Sequence, residues 1–470
     1  MKRKILFKSF YLILILAVFC SSYVLPLYAE GPMTMAELQK RLLELEKTVA
    51  KQQQIISQYE LVHDQQAVAI EDADKAHVGK VHARTKKGSI FALPAMPGNL
   101  KIGANLTGIV QGSPETKLWG DRNRPEIGGS YQASITITNE FENVDGLALA
   151  TLRVGQGDGI EDDLTLYSNT DNNAWGFDYL TLSEVWYEQR LFDKKLVVNV
   201  GKLDPTVFFD NNRYANSDPT QFLARIFNNS PVIEFPDHSG AVRVGAYPFE
   251  WLELGYLVMA GNPNMDNLQS DLFHVGRVIL KPRIYDRQGN YRFLAWRNNN
   301  DHTRWDDPSD TNQPAYGFSI SCDQEITDIF GIFWKFGWQD PDVYNPANTA
   351  NVYDNALLNR YPDINNFSLE YMWSAGAQLK GTPWGREKDF CGIAVAQAFA
   401  SEEMKDALSE VSDNRRDAKP EGHLEAYYNY HFNQYLAVSP SVQLIWNPYG
   451  GDAEGREVIS VYTLRTHVDF

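Results

Sequence analysis

Cysteine is scarce in this chain of 470 residues, with Cys20, Cys322 and Cys391 as its whole complement. The last two lie too far apart in sequence to suggest a disulfide framework or a thiolate metal cluster, and both read as small apolar fillers inside strands. Beyond the N-terminal stretch no run of about 18 apolar residues occurs, so no transmembrane helix is available. The motifs G-x-S-x-G, H-E-x-x-H and the P-loop are missing, and the nine histidines are scattered. The chain therefore does not read as an enzyme, and neither a cofactor nor a metal is expected of it. Basic residues are also outnumbered, 43 Lys and Arg against 60 Asp and Glu for a formal net charge of −17. That balance speaks against a nucleic-acid partner.

What is present points elsewhere. Tyr, Phe and Trp make up 13% of the chain, a surplus that suits a membrane-spanning β-barrel, where aromatic girdles flank an apolar band while loops and lumen stay polar. The N-terminus reads as a secretory signal over residues 1–29: Lys2, Arg3, Lys4 and Lys8 are its basic part, Tyr11 to Phe19 its apolar part, and Leu27-Tyr28-Ala29 its cleavage site. Cys20 invites a lipoprotein reading, but Phe19 is bulkier than lipoprotein processing accepts.

Residues 33–65 then carry a heptad pattern, with Met35, Leu42, Val49 and Ile56 at a, Leu38, Leu45 and Tyr59 at d, and Gln52 the polar exception. The narrow apolar seam predicts a periplasmic coiled coil that self-associates, with a homotrimer as one outcome; one amphipathic helix lying on another surface of the same protein is the alternative. Residues 66–98 lose the pattern, end in Leu93-Pro94-Ala95-Met96-Pro97-Gly98, and read as a linker.

From residue 99 to 470 the period changes to two. Leu436, Val438, Pro440, Val442, Leu444 and Trp446 alternate with Ala437, Ser439, Ser441, Gln443 and Ile445; Val458, Tyr462, Leu464, Val468 and Phe470 alternate with Thr463, Arg465, His467 and Asp469. A soluble core would reject the second set, whereas a hydrated lumen accepts it. Phe330, Ile332, Trp334, Phe336 and Trp338 likewise face outward with Lys335 inward, and Glu184, Glu188, Arg190, Arg243, Glu253, Glu425 and Arg465 are predicted to point into the lumen. Such segments number about sixteen, from one near 100–111 to one near 456–470, with short and long connections in alternation. The prediction is an all-β fold: an antiparallel transmembrane barrel of about sixteen strands in outer-membrane lipid, preceded by the coiled-coil helix. The terminal Phe470 resembles the signal read by the outer-membrane assembly machinery. A soluble sandwich or propeller would also alternate, but no blade-length repeat is seen.

A barrel this wide leaves an aqueous channel, so something must narrow it. The longest predicted connection, about Leu203 to Ser239, is the third external loop and carries Asp204, Asp210, Asn211, Asn212, Arg213, Tyr214, Gln221, Phe222 and Arg225, with Phe208, Phe209 and Phe227 interspersed. Carboxylates, amides and guanidinium groups bond sugar hydroxyls, and aromatic rings stack on sugar C–H faces. With Arg243, Glu425 and Arg465 from the lumen wall, these residues form the predicted substrate-binding set. The acidic stretch Gly155-Gln156-Gly157-Asp158-Gly159-Ile160-Glu161-Asp162-Asp163 lacks the spacing of a calcium loop and reads as a solvated external loop.

Four segments carry a family resemblance: GKLDPTVFFDNNRYANSDPTQFL (Gly201 to Leu223), GNYRFLAWRNNN (Gly289 to Asn300), FSISCDQEITDIFGIFWKFGWQDPDVY (Phe318 to Tyr344) and LEAYYNYHFNQYLAVSPSVQLIWNP (Leu424 to Pro448). In order along the barrel, they resemble carbohydrate-selective porins of the OprB type. The resemblance implies a sixteen-stranded outer-membrane channel for passive diffusion of small sugars, and by analogy with general porins, whose third external loop folds inward, the constriction falls on 203–239. The alternative expectation is a structural barrel that anchors the periplasmic coiled coil and spaces or tethers the envelope.

Overall fold

Side chains that alternate between apolar and polar suit a wall with lipid on one side and water on the other, and the β-branched and aromatic residues of the outer set favour extended backbone. The computed structural model describes residues 99–116, 124–174, 178–265, 270–348, 366–409, 418–451 and 458–470. The expected signal, coiled coil and linker (1–29, 33–65 and 66–98) lie outside the described residues.

Sixteen strands among the described residues form the wall: β1 Asn99–Thr116, β2 Arg124–Phe141, β3 Gly146–Gln156, β4 Thr181–Leu191, β5 Leu196–Leu203, β6 Ser239–Phe249, β7 Leu252–Ala260, β8 Leu272–Leu280, β9 Arg287–Arg304, β10 Gln313–Glu325, β11 Phe330–Gln339, β12 Leu369–Gly381, β13 Arg386–Ala400, β14 Glu421–His431, β15 Leu436–Trp446 and β16 Val458–Asp469. All neighbours pair antiparallel, and β16 returns to β1 with Val468 opposite Leu106 and Thr463 opposite Gln111. Phe470 extends the closure, its backbone N–H donating to Ala104 O at 2.7 Å. A closed barrel satisfies every strand through its neighbours and leaves no edge, a condition lipid imposes because it offers no hydrogen bonds.

Exposure runs opposite to that of a soluble protein. Leu106, Val110, Ile135, Val200, Val242, Trp334 and Leu464 are exposed on the outer face, while the predicted inward set, Glu184, Glu188, Arg190, Arg243, Glu253, Lys335, Glu425 and Arg465, is buried inside. Short turns join β2 to β3, β4 to β5 and so on, and several display large rings to the outside: Phe192, Trp251, Tyr285, Trp384 and Phe432. Phe249 stacks flat on Trp251 with centroids 5.3 Å apart. Amphipathic rings at one rim mark a membrane–water interface. Asp145 closes the β2–β3 turn in the left-handed region at φ 51°, where a short polar side chain is tolerated.

β9 is one of the longest strands of the wall, continuing to Arg304. Its extension is held by the His302 ring, 2.6 Å from Glu234 Oε2, and by Thr303 paired with Tyr344. These contacts come from residues distant in sequence, so a local period could not reveal them.

Candidate functional site

The connection after β5, residues 204–238 (L3), begins with a capped helix. Asp204 accepts from Thr206 N at 3.0 Å and Thr206 Oγ1 at 2.6 Å, and Pro205 opens α1, Pro205–Phe209, a position where its missing N–H costs nothing. The far end of L3 comes back to the same point, with His238 Nε2 3.4 Å from Asp204 Oδ2. Burial pushes the His238 imidazole down, but the Asp204 carboxylate outweighs it and holds the ring above its ordinary value.

From this root L3 runs across the interior, meeting strand after strand. Arg243 of β6 lies over the Phe208 ring at 4.8 Å and donates to Asn199 Oδ1 at 2.9 Å. Asn211 Oδ1 accepts from Arg277 of β8 at 3.3 Å and from Arg292 of β9 at 3.1 Å. Asn212 donates to Ser321 Oγ of β10 at 3.1 Å and accepts from Tyr214 N at 3.0 Å. Arg213 pairs with Glu325 at 2.8 Å while its backbone N–H donates to Asp323 at 3.2 Å, and its guanidinium sits 5.5 Å from the buried Tyr214 ring. Asp210 accepts from Ser230 N at 2.6 Å and faces Lys335 of β11 at 3.8 Å; Lys335 donates to Asn228 O at 2.8 Å. Gln221 ties the tip together, accepting from Asn216 N at 2.9 Å and donating to Arg213 O at 3.0 Å. On the far wall Glu425 of β14 accepts from Leu223 N at 2.8 Å and Ala224 N at 2.9 Å. Arg465 of β16 donates to the carbonyls of Asp218 and Gln221.

The predicted residues are thus brought together, and most of their hydrogen-bonding groups engage the wall or the loop itself. Two expectations change. The interspersed rings were to stack on sugar faces, yet Phe208, Phe209, Phe222 and Phe227 are all buried; Phe222, predicted as a substrate contact, packs 4.9 Å from Tyr427 and 5.7 Å from Phe333. Apolar rings on a loop inside a wet barrel gain more by covering one another than by facing water. Arg225, which opens the short helix α2, Arg225–Asn228, is the exception among the predicted polar set: its side chain is exposed.

The second change concerns the connection after β3, residues 157–180 (L2), whose acidic start was expected to be solvated. It folds in as well. Ile160 and Leu164 are buried against Ile445, Ile459 and Val461 of β15 and β16, and Glu421 of β14 accepts from Tyr167 N at 2.8 Å and Ser168 N at 3.1 Å. Glu161 accepts from Asp171 N at 2.7 Å, and Asp171 accepts from Ser130 Oγ at 2.7 Å. Burial raises both carboxyls, Glu161 to about 8 and Asp171 to about 6. L2 then meets L3 along a seam: Asn172 N donates to Leu223 O at 2.9 Å, Arg225 N donates to Asn169 O at 3.0 Å, and Asn172 Nδ2 donates to Asn229 Oδ1 at 3.1 Å. The inner-face acids Glu421 and Glu425 stand on the same strand, and each holds a different loop. Sequence reasoning passed over Glu421 and read the start of L2 as solvated; the apolar pair Ile160 and Leu164 beside the acids was the signal that could have found them.

A closed barrel of sixteen strands, apolar outside, polar inside and threaded by its own loops, defines an outer-membrane channel. The family model described as carbohydrate-selective porin, OprB family, matches residues 130–470, and the chain belongs to that family. It is accordingly a passive channel rather than an enzyme, carbohydrate-selective at the level of the family. Among solved structures, the high-pH structure of Pseudomonas putida OprB is similar with a TM-score of 0.63 at 18% identity, covering 79% of this chain and 94% of that one; the likeness is one of fold. The low-pH structure of the same protein gives 0.48 at 15% identity, covering 79% and 93%. The outer membrane channel DcaP of Acinetobacter baumannii gives 0.45 at 10% identity, covering 79% and 97%. No curated protein sequence matches the chain.

Proposed function

We propose that small sugars and similar polar solutes diffuse through this lumen, and that L3 forms the constriction jointly with L2. One observation carries the reading: the seam in which Asn172 N and Arg225 N bond the carbonyls of the opposite loop, with both loops anchored to β14. Beside the seam stand the exposed side chains of Asn169 and Arg225, an amide and a guanidinium. Such groups match hydroxyl-rich solutes, and contacts of this kind stay weak enough for release.

The test is electrical. Purified full-length protein in planar bilayers is expected to show stepwise conductance that glucose partly blocks, and Asp210→Ala or Arg213→Ala is expected to weaken that block by loosening L3. If glucose leaves the current of the unmodified protein unchanged, the chain is a general diffusion pore and the carbohydrate reading fails. The same reading expects lipid around the outward band, the assembly machinery at Phe470 and self-association through 33–65.

A further inference from the structure

The guanidinium groups on the inner wall find acids: Arg190 pairs with Glu188 at 2.8 Å, Arg277 with Glu253 at 2.9 Å and Arg292 with Asp323 at 2.6 Å. Arg297 of β9 does not. It is exposed on the outer face, and among the described residues its side chain bonds only Asn299, donating from Nε to Oδ1 at 2.8 Å. The next outward carboxylate along the strand is Asp301, four residues on and about 13 Å away in extended backbone. A charge on the side of the wall that meets the bilayer is costly unless something in the bilayer answers it.

The strand register arranges the surroundings of Arg297 in rungs. On its own rung stand His274 of β8 and Tyr316 of β10. One rung toward the short-turn rim come Tyr256 of β7, Gly276, Ala295 and Phe318, in that order around the wall. Tyr256 and Phe318 present exposed rings, but nothing rises between them: a methyl group placed on Gly276 would meet no atom within 4 Å, and Ala295 carries only a methyl. The two rings are three strand spacings apart, about 14 Å between backbones, which leaves a furrow wide enough for one hydrocarbon chain. His274 Nδ1 lies 2.8 Å from the Tyr256 hydroxyl, so the imidazole is held at the head of the furrow beside Arg297. β9 rises from the short turn that displays Tyr285, and short turns of such barrels face the periplasm. The cationic head of the furrow is therefore in the external half of the membrane.

A cation above an apolar furrow fits an amphiphile with an anionic head and a straight tail. A guanidinium fork bonds two phosphate oxygens at once, and a phosphate monoester, with about two negative charges near neutral pH, answers it better than a phosphodiester with one. The external leaflet of an outer membrane supplies such a molecule in the acylated glucosamine phosphate of its glycolipid. We infer that Arg297 and His274 hold a phosphate of this glycolipid, lipid A in its membrane-embedded part, while one acyl chain lies over Gly276 and Ala295 between Tyr256 and Phe318. The inference rests on the reading that the outward band faces lipid and is independent of which solute the lumen passes.

Delipidated full-length protein in detergent micelles is to be titrated with diphosphoryl lipid A and with phosphatidylglycerol, and the lipid retained per chain read by native mass spectrometry. Lipid A is expected to stay bound at about tenfold lower concentration, the size of one charge-assisted contact. Arg297→Gln should abolish that preference. Lys202→Gln, which removes an outward lysine whose Nζ donates to Leu182 O at 2.8 Å, should leave it intact. Gly276→Leu fills the furrow without altering charge and should weaken retention of lipid A. A preference kept by Arg297→Gln, or lost equally in Lys202→Gln, overturns the inference; if Arg297→Gln does not assemble, Gly276→Leu decides, with unchanged retention overturning it and reduced retention supporting it. Equal retention of both lipids by the unmodified protein overturns the site alone, whereas retention of neither overturns the lipid-facing reading on which it stands.

Discussion

L2 and L3 hang from the same strand, yet they are secured in different ways. L3 distributes its attachments over β6, β8 to β11, β14 and β16, largely through charged side chains opposite one another or opposite backbone groups. L2 is held by Glu421, which also accepts from Tyr449 N at 2.7 Å, by Ile160 and Leu164 packed on β15 and β16, and by two carboxyls that burial pushes toward the neutral form. The difference shows that one barrel can fix two loops through different sets of contacts. Buried carboxyls near neutrality within a loop invite titration.

The largest test of this comparison is Glu425→Ala. It orphans the N–H groups of Leu223 and Ala224 and leaves buried Arg465 without its nearby acid, a loss of about 3–5 kcal/mol in docking L3. Single-channel conductance should rise severalfold, and Glu421→Ala, which frees L2, should raise it less. Equal effects would mean that the loops move as one body and the contrast is void. Lys335→Met comes next: it removes the donor to Asn228 O but keeps much of the volume, so docking should weaken by about 2 kcal/mol, seen as added current noise and faster protease nicking within 204–238.

The pH response tests the hold on L2 more finely. Glu161 and Asp171 hold their protons more tightly in the docked loop than at their ordinary values of 4.5 and 3.8. Docking of L2 is therefore favoured at low pH and weakens as pH rises from about 4 through 6 to 8. Proteolysis of L2 should be faster at pH 9 than at pH 5, and Glu161→Gln should flatten most of the response. An unchanged slope in that variant would remove Glu161 from the account. The smallest effect belongs to a loop outside this pair. Ser401 caps α3, Glu402–Leu408, by accepting from Met404 N at 3.1 Å, and Ser401→Ala should cost about 1 kcal/mol. Faster amide exchange over 402–408 with unchanged conductance is the expected outcome.

The wall was legible because each side of it obeys a period-two rule: Trp334 and Lys335 declare their faces by chemistry alone. L3 was legible by length and composition. Its detailed use was not, since Glu425 and Arg465 look the same in sequence whether they meet sugar or hold a loop, and only contacts 202 and 244 residues apart distinguish the two. L2 was misread for the opposite reason: its glycines and acids mimic a solvated segment, and burial of Ile160 and Leu164 depends on β15 and β16, far along the chain.

That spacing has a consequence for biogenesis. The two inward loops leave the ribosome long before their anchors, with Ser168 preceding Glu421 by 253 residues. A nascent barrel lacking β14 to β16 therefore offers L2 and L3 nothing on the far wall to grip, and the two loops dock there only when the final staves are in place.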